Sequence, residues 1–271
     1  MNPGRLPLVV EADELQAALD DESILVVDVS QTQFHQQAHI PGAVHVDYAQ
    51  IISAKPPVMG LLPNPDQLGT LFTCLGLDAT THVVAYDNEG GGRASRLLWT
   101  LQVAGHTRYS LLNGGFKAWR DEGRPSEIRH RQRTAHSCTV HIDTGAIADK
   151  AYILEHLHDP AISLVDCRSP GEYAGVDLRA RRGGHIPGAV NIEWNRALDP
   201  QRGMRIKADN ELRGLYEQAG ATPDRQVIVY CQTHHRSALS YIVMKNLGYN
   251  VRGYPGSWSE WGNDPGTPVE R

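Results

Sequence analysis

The sequence lacks the features that mark several large protein classes. Its 271 residues contain four cysteines, at positions 74, 138, 167 and 231, and the two nearest are 29 residues apart (167 − 138). This spacing leaves no Cys-x-x-Cys pair, which excludes a zinc ribbon and a dithiol redox motif of that type. The apolar runs are far too short to cross a bilayer. The formal net charge of −5 argues against general binding to nucleic acid or to a membrane surface.

The first ten residues do not contain the long apolar core of a secretory signal peptide. Together with four cysteines that we expect to be free thiols, this predicts a cytoplasmic protein. The composition, 41% hydrophobic and 21% charged, is that of a globular protein. The length then allows one large domain or two modest domains, each with its own core.

An internal repeat organises the chain. Ile24-Leu-Val-Val-Asp28 recurs as Ile162-Ser-Leu-Val-Asp166, His39-Ile-Pro-Gly-Ala-Val44 as His185-Ile-Pro-Gly-Ala-Val190, and Val83-Val-Ala-Tyr-Asp87 as Val227-Ile-Val-Tyr-Cys231. A long repeat that keeps its order predicts two copies of one fold. Within each copy, apolar runs alternate with helical stretches. This alternation predicts α/β domains, each with a mainly parallel sheet flanked by helices on both faces.

We therefore expect a first domain over residues 1–123, a linker over 124–144 and a second domain over 145–271. The linker is polar and locally basic, and we interpret it as a solvated surface segment, with a basic partner surface as the alternative. The two copies differ at one decisive position, where Asp87 in the first copy matches Cys231 in the second. A carboxylate does not supply the thiolate nucleophile that a cysteine can supply. The first domain is therefore predicted to be non-catalytic.

Cys231 lies where a predicted buried strand, 226–230, ends and a short loop leads to a helix that begins at Arg236. Loop amides and the N-terminus of a helix favour negative charge at such a position, and His234 and His235 add polarisable groups. This environment lowers the pKa of a thiol, and the thiolate is the nucleophilic form of cysteine. We interpret the stretch as a site for an anionic substrate with a cysteine nucleophile. The alternative is a cysteine that serves as a small buried hydrophobe.

The sequence resembles the rhodanese family of sulfurtransferases, in particular the tandem-domain thiosulfate sulfurtransferases. The resemblance rests on the repeat and on three motifs: Asp166-Cys-Arg168, Gly184-His-Ile-Pro-Gly-Ala189 and the loop Cys231-Gln-Thr-His-His-Arg236, which is most like that of the bacterial Azotobacter-type rhodanese. It implies two rhodanese-like domains, of which the second is catalytic. It also implies that Cys231 takes the sulfane sulfur from thiosulfate, that sulfite leaves, and that cyanide or a thiol removes the sulfur from a Cys231 persulfide. Neither a metal nor a cofactor is implied beyond that covalent persulfide.

Substrate binding is expected from the residues of the loop and from one arginine outside it. The backbone amides of Gln232 and Thr233 and the side chain of Arg236 suit a departing anion. His234 and His235 are adjacent on the turn and need not both face the sulfur, and which of them does is left open. A basic insert makes the second copy's loop eight residues longer (146 − 138), and its Arg182 either lines the mouth of the pocket or is solvated. The supporting candidates are Asp166, Arg168, Ser237 and Trp194.

Several alternatives remain at this point. A persulfide carrier that delivers sulfur to a protein partner needs the same cysteine. A 3-mercaptopyruvate sulfurtransferase is disfavoured because Glu172 places a carboxylate where the substrate's own carboxylate would bind. A cysteine phosphatase of this fold is disfavoured because Arg236 gives Cys-x-x-x-x-Arg, one residue shorter than the phosphatase loop. A metal site at Cys231, His234 and His235 lacks a fourth ligand at a recognisable spacing. We expect a monomer, with the physiological donor and acceptor left open.

Overall fold

The structure, a computed structural model, describes residues 6–129, 131, 133–136, 138 and 140–271. The chain divides into two compact units. Unit 1 comprises Met1–Ile51, Pro63–Asp143 and Asp199–Ile206, and unit 2 comprises Ile52–Leu62, Thr144–Leu198 and Lys207–Arg271. Each unit therefore includes a short segment from the other half of the sequence. The boundaries drawn from the sequence at 123 and 145 stay a prediction, and residues 130, 132, 137 and 139 of the predicted linker lie outside the described residues.

The first half of the chain contains the following strands and helices: β1 (Val9–Val10), α1 (Ala12–Ala18), β2 (Ile24–Asp28), α2 (Thr32–Gln37), β3 (Val44–His45), β4 (Ser53–Lys55), β5 (Val58–Leu61), α3 (Pro65–Cys74), β6 (His82–Tyr86), α4 (Gly92–Val103), β7 (Tyr109–Leu112) and α5 (Gly115–Asp121). The second half contains α6 (Lys150–Glu155), β8 (Ile162–Asp166), α7 (Pro170–Tyr173), β9 (Val190–Asn191), β10 (Leu198–Asp199), β11 (Arg205–Ile206), α8 (Asp209–Gln218), β12 (Gln226–Tyr230), α9 (Arg236–Asn246), β13 (Asn250–Gly253) and α10 (Ser257–Trp261). Short 3-10 helices lie at Tyr48–Ile51, Thr144–Ala146, Trp194–Ala197 and Pro200–Arg202.

Unit 1 is built on a five-stranded sheet in the order β1-β7-β6-β2-β3. All four strand pairs are parallel. The central strand β6 is buried at each of its five positions. Because successive side chains of a strand point to opposite faces, both faces of this sheet are covered, as in sheets whose strands are linked by helices.

Unit 2 is built on a four-stranded parallel sheet in the order β13-β12-β8-β9. Its β12 has four buried positions in a row, from Val227 to Tyr230. In the register of β12 and β8, Tyr230 lies beside Asp166, so that both strands end at the same edge. Cys231 therefore leaves the sheet at the carboxyl edge of the strands, the edge at which open α/β sheets bind ligands.

The repeated His-Ile-Pro-Gly-Ala turn makes the same tertiary contact in both units. The backbone N–H of Ile40 donates to the hydroxyl of Tyr86 at 3.1 Å, and the N–H of Ile186 donates to the hydroxyl of Tyr230 at 3.1 Å. In each case a buried tyrosine at the end of the central strand holds the turn beside the sheet. The predicted fold class, two similar α/β domains with mainly parallel sheets and flanking helices, is confirmed.

The elements nearest the cysteine agree closely with the sequence prediction. The strand 226–230 and the helix that begins at Arg236 are both observed, and Gly248, just past the helix, has a φ of +85° that favours glycine. The antiparallel hairpin of β4 and β5 was not predicted. Among the described residues, no helix combines the length and the apolar character needed to cross a membrane.

Candidate active site

The loop after β12 folds around the sulfur of Cys231, which is completely buried. His234 adopts a left-handed φ of +53°, which turns the loop back on itself. The Ser257 hydroxyl oxygen accepts the backbone N–H of Cys231 at 3.3 Å and that of His234 at 3.0 Å, and it donates to the carbonyl of Tyr254 at 2.7 Å. Ser257 therefore fixes the backbone of the loop at Cys231 and at His234.

The surroundings of Cys231 favour its thiolate. Burial raises the pKa of the thiol, but the positive charge of Arg236 outweighs it, together with hydrogen bonds from the Ser237 hydroxyl and from the backbone N–H groups of Ser237 and Thr233. The pKa of Cys231 consequently lies below its ordinary value. Cys167 shows the opposite case, because burial raises the pKa of its thiol far above the usual range. The surroundings thus favour the thiolate, the nucleophilic form, at Cys231 and the neutral thiol at Cys167.

Ser237 connects His234 to the sulfur. The Nδ1 atom of His234 lies 2.8 Å from the Ser237 hydroxyl oxygen, and that hydroxyl hydrogen-bonds to Cys231. A serine hydroxyl has one proton. When Ser237 donates that proton to the thiolate, its oxygen has to accept the remaining bond, so His234 carries its proton on Nδ1. His234 therefore holds Ser237 in the orientation that stabilises negative charge on sulfur.

Arg236 is paired with a carboxylate that the sequence prediction had not assigned to it. Its Nη1 and Nη2 atoms donate to the two oxygens of Glu172 at 2.6 Å and 2.9 Å. Burial would raise the pKa of Glu172, but the hydrogen bonds and the charge of Arg236 lower it to about 2. The Glu172 side chain is 6% exposed and the Arg236 side chain is 23% exposed. The guanidinium thus faces two anions, the Cys231 thiolate and Glu172, and its charge is largely offset.

Asp166 and Arg168 form a second, deeply buried ion pair. Arg168 Nε donates to Asp166 at 2.9 Å, and Arg168 Nη2 donates to the carbonyl of Gly184 at 2.7 Å. The guanidinium also lies over the ring of Trp258, 4.4 Å from its centre. These contacts join the end of β8 to the segment before the His-Ile-Pro-Gly-Ala turn and to α10. They fit a structural role for the supporting candidates Asp166 and Arg168.

The remaining predicted residues lie in different settings. The side chain of Gln232 donates to the carbonyl of Arg179 at 3.0 Å, and the backbone N–H of Trp194 donates to the carbonyl of Cys167 at 3.2 Å. His235 is half-buried and lies immediately before the first residue of α9. Arg182 donates to the carbonyls of Thr267 at 2.6 Å and Trp261 at 2.7 Å. These bonds use its two terminal nitrogens, and its predicted role in substrate binding stays a prediction.

Three contributors to the site were missed in the sequence. Glu172 was read as unfavourable for one substrate and not as the partner of Arg236. Ser257 has a φ of +50°, and the residue that matches it in the first copy, Gly115, has a φ of +55°. The alignment of Ser257 with a glycine was therefore a sequence signal of an unusual backbone position. Gly60 of β5 lies so close to the loop that a Cβ there would be 2.3 Å from the carbonyl oxygen of Thr233. No pattern in the sequence indicated that approach.

The corresponding loop of unit 1 is filled by its own carboxylate. Asp87 accepts the backbone N–H groups of Glu89 at 2.9 Å, Gly91 at 2.8 Å and Ala94 at 3.0 Å. Burial raises the pKa of Asp87 above its ordinary value although these bonds oppose the rise. The carboxylate therefore takes the place among the loop amides that the sulfur takes in unit 2. This geometry supports the prediction that the first domain is non-catalytic.

An activated cysteine in an amide-lined loop, between a parallel strand and a helix, places the site in the class of cysteine enzymes that accept an atom or group from an anionic substrate. The family model for the rhodanese-like domain matches residues 11–122 and 149–264. The chain belongs to the rhodanese family.

Similar proteins cover nearly the whole chain. The "Thiosulfate sulfurtransferase" of Azotobacter vinelandii is 44% identical over 98% of this chain and 97% of its own length. The "Sulfur carrier protein TtuD" of Thermus thermophilus is 34% identical over 97% of this chain and 96% of its own length. Among solved structures, SseA from Escherichia coli, described as a 3-mercaptopyruvate sulfotransferase of rhodanese fold, has a TM-score of 0.81 at 26% identity and covers 93% of this chain and 99% of its own.

Proposed function

We propose that this protein is a thiosulfate sulfurtransferase that moves a sulfane sulfur from thiosulfate to cyanide or a thiol. The observation that carries the proposal is the Cys231 sulfur with a lowered pKa, held by the hydroxyl and N–H of Ser237 and the N–H of Thr233. Full-length relatives named thiosulfate sulfurtransferase support it. A cytoplasmic location and a monomeric state belong to the same proposal, and the four cysteines are free thiols, as a reducing compartment requires.

The reaction has two covalent steps. The Cys231 thiolate attacks the outer sulfur of thiosulfate, the S–S bond of thiosulfate breaks, and its electron pair leaves with sulfite. The sulfur stays on Cys231 as a persulfide, so that no other carrier is needed. Cyanide or a thiolate then attacks the terminal sulfur and restores the Cys231 thiolate.

Glu172 argues against 3-mercaptopyruvate, because it places a carboxylate at a position where the enzymes that use this substrate are expected to have an arginine for its carboxylate. In the fold, Glu172 pairs with Arg236 at 2.6 Å and 2.9 Å. Transfer to a protein partner is the second candidate, and the Thermus relative named as a sulfur carrier protein favours it. The two candidates share the first covalent step and differ in the acceptor.

An intact-mass measurement tests the first step. Brief incubation with thiosulfate is expected to add about 32 Da, one sulfur atom, to the protein, and cyanide is expected to remove it. The Cys231→Ala variant should show no gain, while Cys167→Ala should gain sulfur as the wild type does because Cys167 lacks activation. A wild-type protein that gains no mass from thiosulfate, or a Cys231→Ala variant that does, would contradict the proposal.

Replacing Glu172 with glutamine is expected to lower the KM for thiosulfate by roughly three- to tenfold, or about 1 kcal/mol. The change removes a negative charge beside a dianionic substrate and leaves the guanidinium of Arg236 less neutralised. Glutamine can also keep the capping box of α7, in which the Glu172 side chain accepts the N–H of Ser169 at 3.2 Å. Steady-state kinetics at low and high salt measure the effect.

The control for this prediction is Glu155→Gln, which removes one exposed carboxylate from α6 in the same unit. Its KM for thiosulfate should equal that of the wild type. A higher KM in Glu172→Gln would mean that Glu172 chiefly positions Arg236 for the substrate instead of competing with it.

A further inference from the structure

Unit 1 has an open cavity of about 370 Å³ next to its cysteine-free loop. The cavity is lined by Phe34, Gln37, Ala38, Asn88, Phe116, Lys117 and Arg120. Its walls are the end of α2, the loop after β6 and one side of α5. Phe34 is 39% exposed, so that part of its ring is free to contact a ligand. The catalytic proposal above uses none of these residues.

The internal repeat identifies the equivalent place in unit 2. The N–H of Phe116 donates to the carbonyl of Asp87 at 3.0 Å, as the N–H of Trp258 donates to that of Cys231 at 2.9 Å. Asn88, one residue after Asp87, thus corresponds to Gln232. The stacked rings of His35 and His39 correspond to those of Tyr173 and His185. The cavity of unit 1 therefore corresponds to the space between the end of α7, Gln232 and α10 in unit 2.

In unit 2 this space is occupied by the chain itself. Tyr173 and His185 are 12 positions apart and His35 and His39 are 4 apart, so unit 2 has eight additional residues here, 176–183 (12 − 4). We call them the insert. Its Arg179 carbonyl accepts the side chain of Gln232 at 3.0 Å, and its Arg182 carbonyl accepts the indole N–H of Trp258 at 3.2 Å. Unit 1 keeps the walls of this groove and lacks the segment that covers it.

The charges at the rim of the cavity differ from those in unit 2. Lys117 and Arg120 stand where the repeat has Ser259 and Gly262 (offset 142 in both cases). Their side chains are 44% and 69% exposed, and Asp121 lies close to both. Two cations and one carboxylate leave the rim with a net positive charge. A segment that occupies the groove would therefore be acidic, whereas the insert of unit 2 carries three arginines.

We propose that the groove of unit 1 binds an extended segment of another protein, one that places an apolar side chain between Phe34 and Phe116 and an acidic side chain beside Lys117 and Arg120. Asn88 would meet the backbone of this segment, as Gln232 meets the backbone of the insert. This docking site lies in unit 1, which lacks the catalytic cysteine. Binding there does not depend on which compound donates the sulfur.

The probe for this proposal is a fluorescein-labelled peptide with the sequence of residues 176–183 in which the three arginines are replaced by glutamate. Fluorescence anisotropy with the full-length protein is expected to show saturable binding. Lys117→Glu/Arg120→Glu should weaken it by at least about tenfold, and Phe34→Ser should weaken it by a similar factor because an apolar wall is lost. The peptide with the unchanged sequence 176–183 should bind at least about tenfold more weakly, since its charge is opposite.

The matched control is Lys55→Glu/Arg225→Glu, which changes the net charge equally at two exposed cations of unit 2. It should leave probe binding unchanged, and every variant should still gain a sulfur atom from thiosulfate. Equal weakening in the control would show bulk electrostatic attraction and overturn the proposal, as would probe binding that ignores Lys117, Arg120 and Phe34. A change of the monomer–dimer state in Lys117→Glu/Arg120→Glu would assign the groove to a second copy of this chain and would also overturn it.

Discussion

Replacing Arg236 with methionine is expected to lower the free energy of unfolding by about 2–3 kcal/mol and to slow sulfur transfer from thiosulfate by about 10²–10³-fold. The loss of stability follows from Glu172, which is 6% exposed and would keep a buried charge with only the more distant Arg179, 3.9 Å away, beside it. Breaking a fully buried pair costs about 3–5 kcal/mol, and the 23% exposure of Arg236 reduces that figure. The loss of rate follows from the missing charge beside the Cys231 thiolate and the departing sulfite.

The pH dependence of stability tests the same contact. The pKa of Glu172 is about 2 in the folded protein against an ordinary value of 4.5. The pair therefore stabilises the wild type fully above about pH 4.5, and this contribution is lost as the pH falls toward 2. In Arg236→Met that contribution is absent, so the variant should be destabilised at pH 6 and should approach the wild type near pH 2–3. Chemical denaturation across this range measures the difference.

The double variant Glu172→Gln/Arg236→Met separates the two effects. It removes both charges and should recover most of the lost stability, because no buried carboxylate is left without a partner. Its rate of sulfur transfer should remain as low as that of Arg236→Met. Recovery of the rate together with the stability would show that Arg236 acts through folding of the loop and not through its charge.

The sequence predicted the parts of this molecule that depend on local pattern. The β-branched run 226–230 and the apolar spacing after Arg236 define a strand and a helix almost without tertiary information, and Cys231 lies at their junction. The repeat added the fold class, since two copies of one α/β unit explain both occurrences of the His-Ile-Pro-Gly-Ala turn. The same comparison marked the first loop as non-catalytic, because a carboxylate replaces the cysteine at Asp87.

The parts that were not predicted depend on contacts between distant positions. Glu172 and Arg236 are 64 residues apart, and Gly60 and Thr233 are 173 apart (236 − 172 and 233 − 60). Neither pair is implied by periodicity or spacing. Arg182 shows the same limit, because the sequence displays a basic run near a predicted anion site but not the backbone carbonyls that its guanidinium contacts, and its role in substrate binding stays a prediction. A single sequence indicates which charges are present and leaves open which partner each one has.

Replacing Ser237 with alanine is expected to slow sulfur transfer at neutral pH by about 10–100-fold. The variant keeps the backbone N–H of residue 237 and removes the hydroxyl that hydrogen-bonds to the Cys231 sulfur. The pKa of Cys231, which lies below its ordinary value in the wild type, should rise. The thiolate fraction at neutral pH then falls, and the rate of the variant should increase with pH over a range in which the wild-type rate is already constant.

Two opposing effects set the size of the rate loss in Ser237→Ala. A thiol of higher pKa is a stronger nucleophile once ionised, with a Brønsted slope of about 0.4–0.5, and this partly offsets the smaller thiolate fraction. At high pH the Cys231 thiol is fully ionised in both proteins, so the difference in rate between the wild type and Ser237→Ala should become smaller. The difference that remains reports the loss of the hydroxyl as a donor to the sulfur during transfer. The pH–rate profile and the ultraviolet absorbance of the thiolate measure the two contributions separately.

Ser240→Ala provides the matched control, because Ser240 is equally buried on the same helix and its hydroxyl contacts Cys167 instead. If Ser237→Ala and Ser240→Ala share the wild-type pH profile, the chain of hydrogen bonds from His234 through Ser237 to the sulfur does not set the reactivity of Cys231, and Arg236 with the loop amides would have to account for it alone.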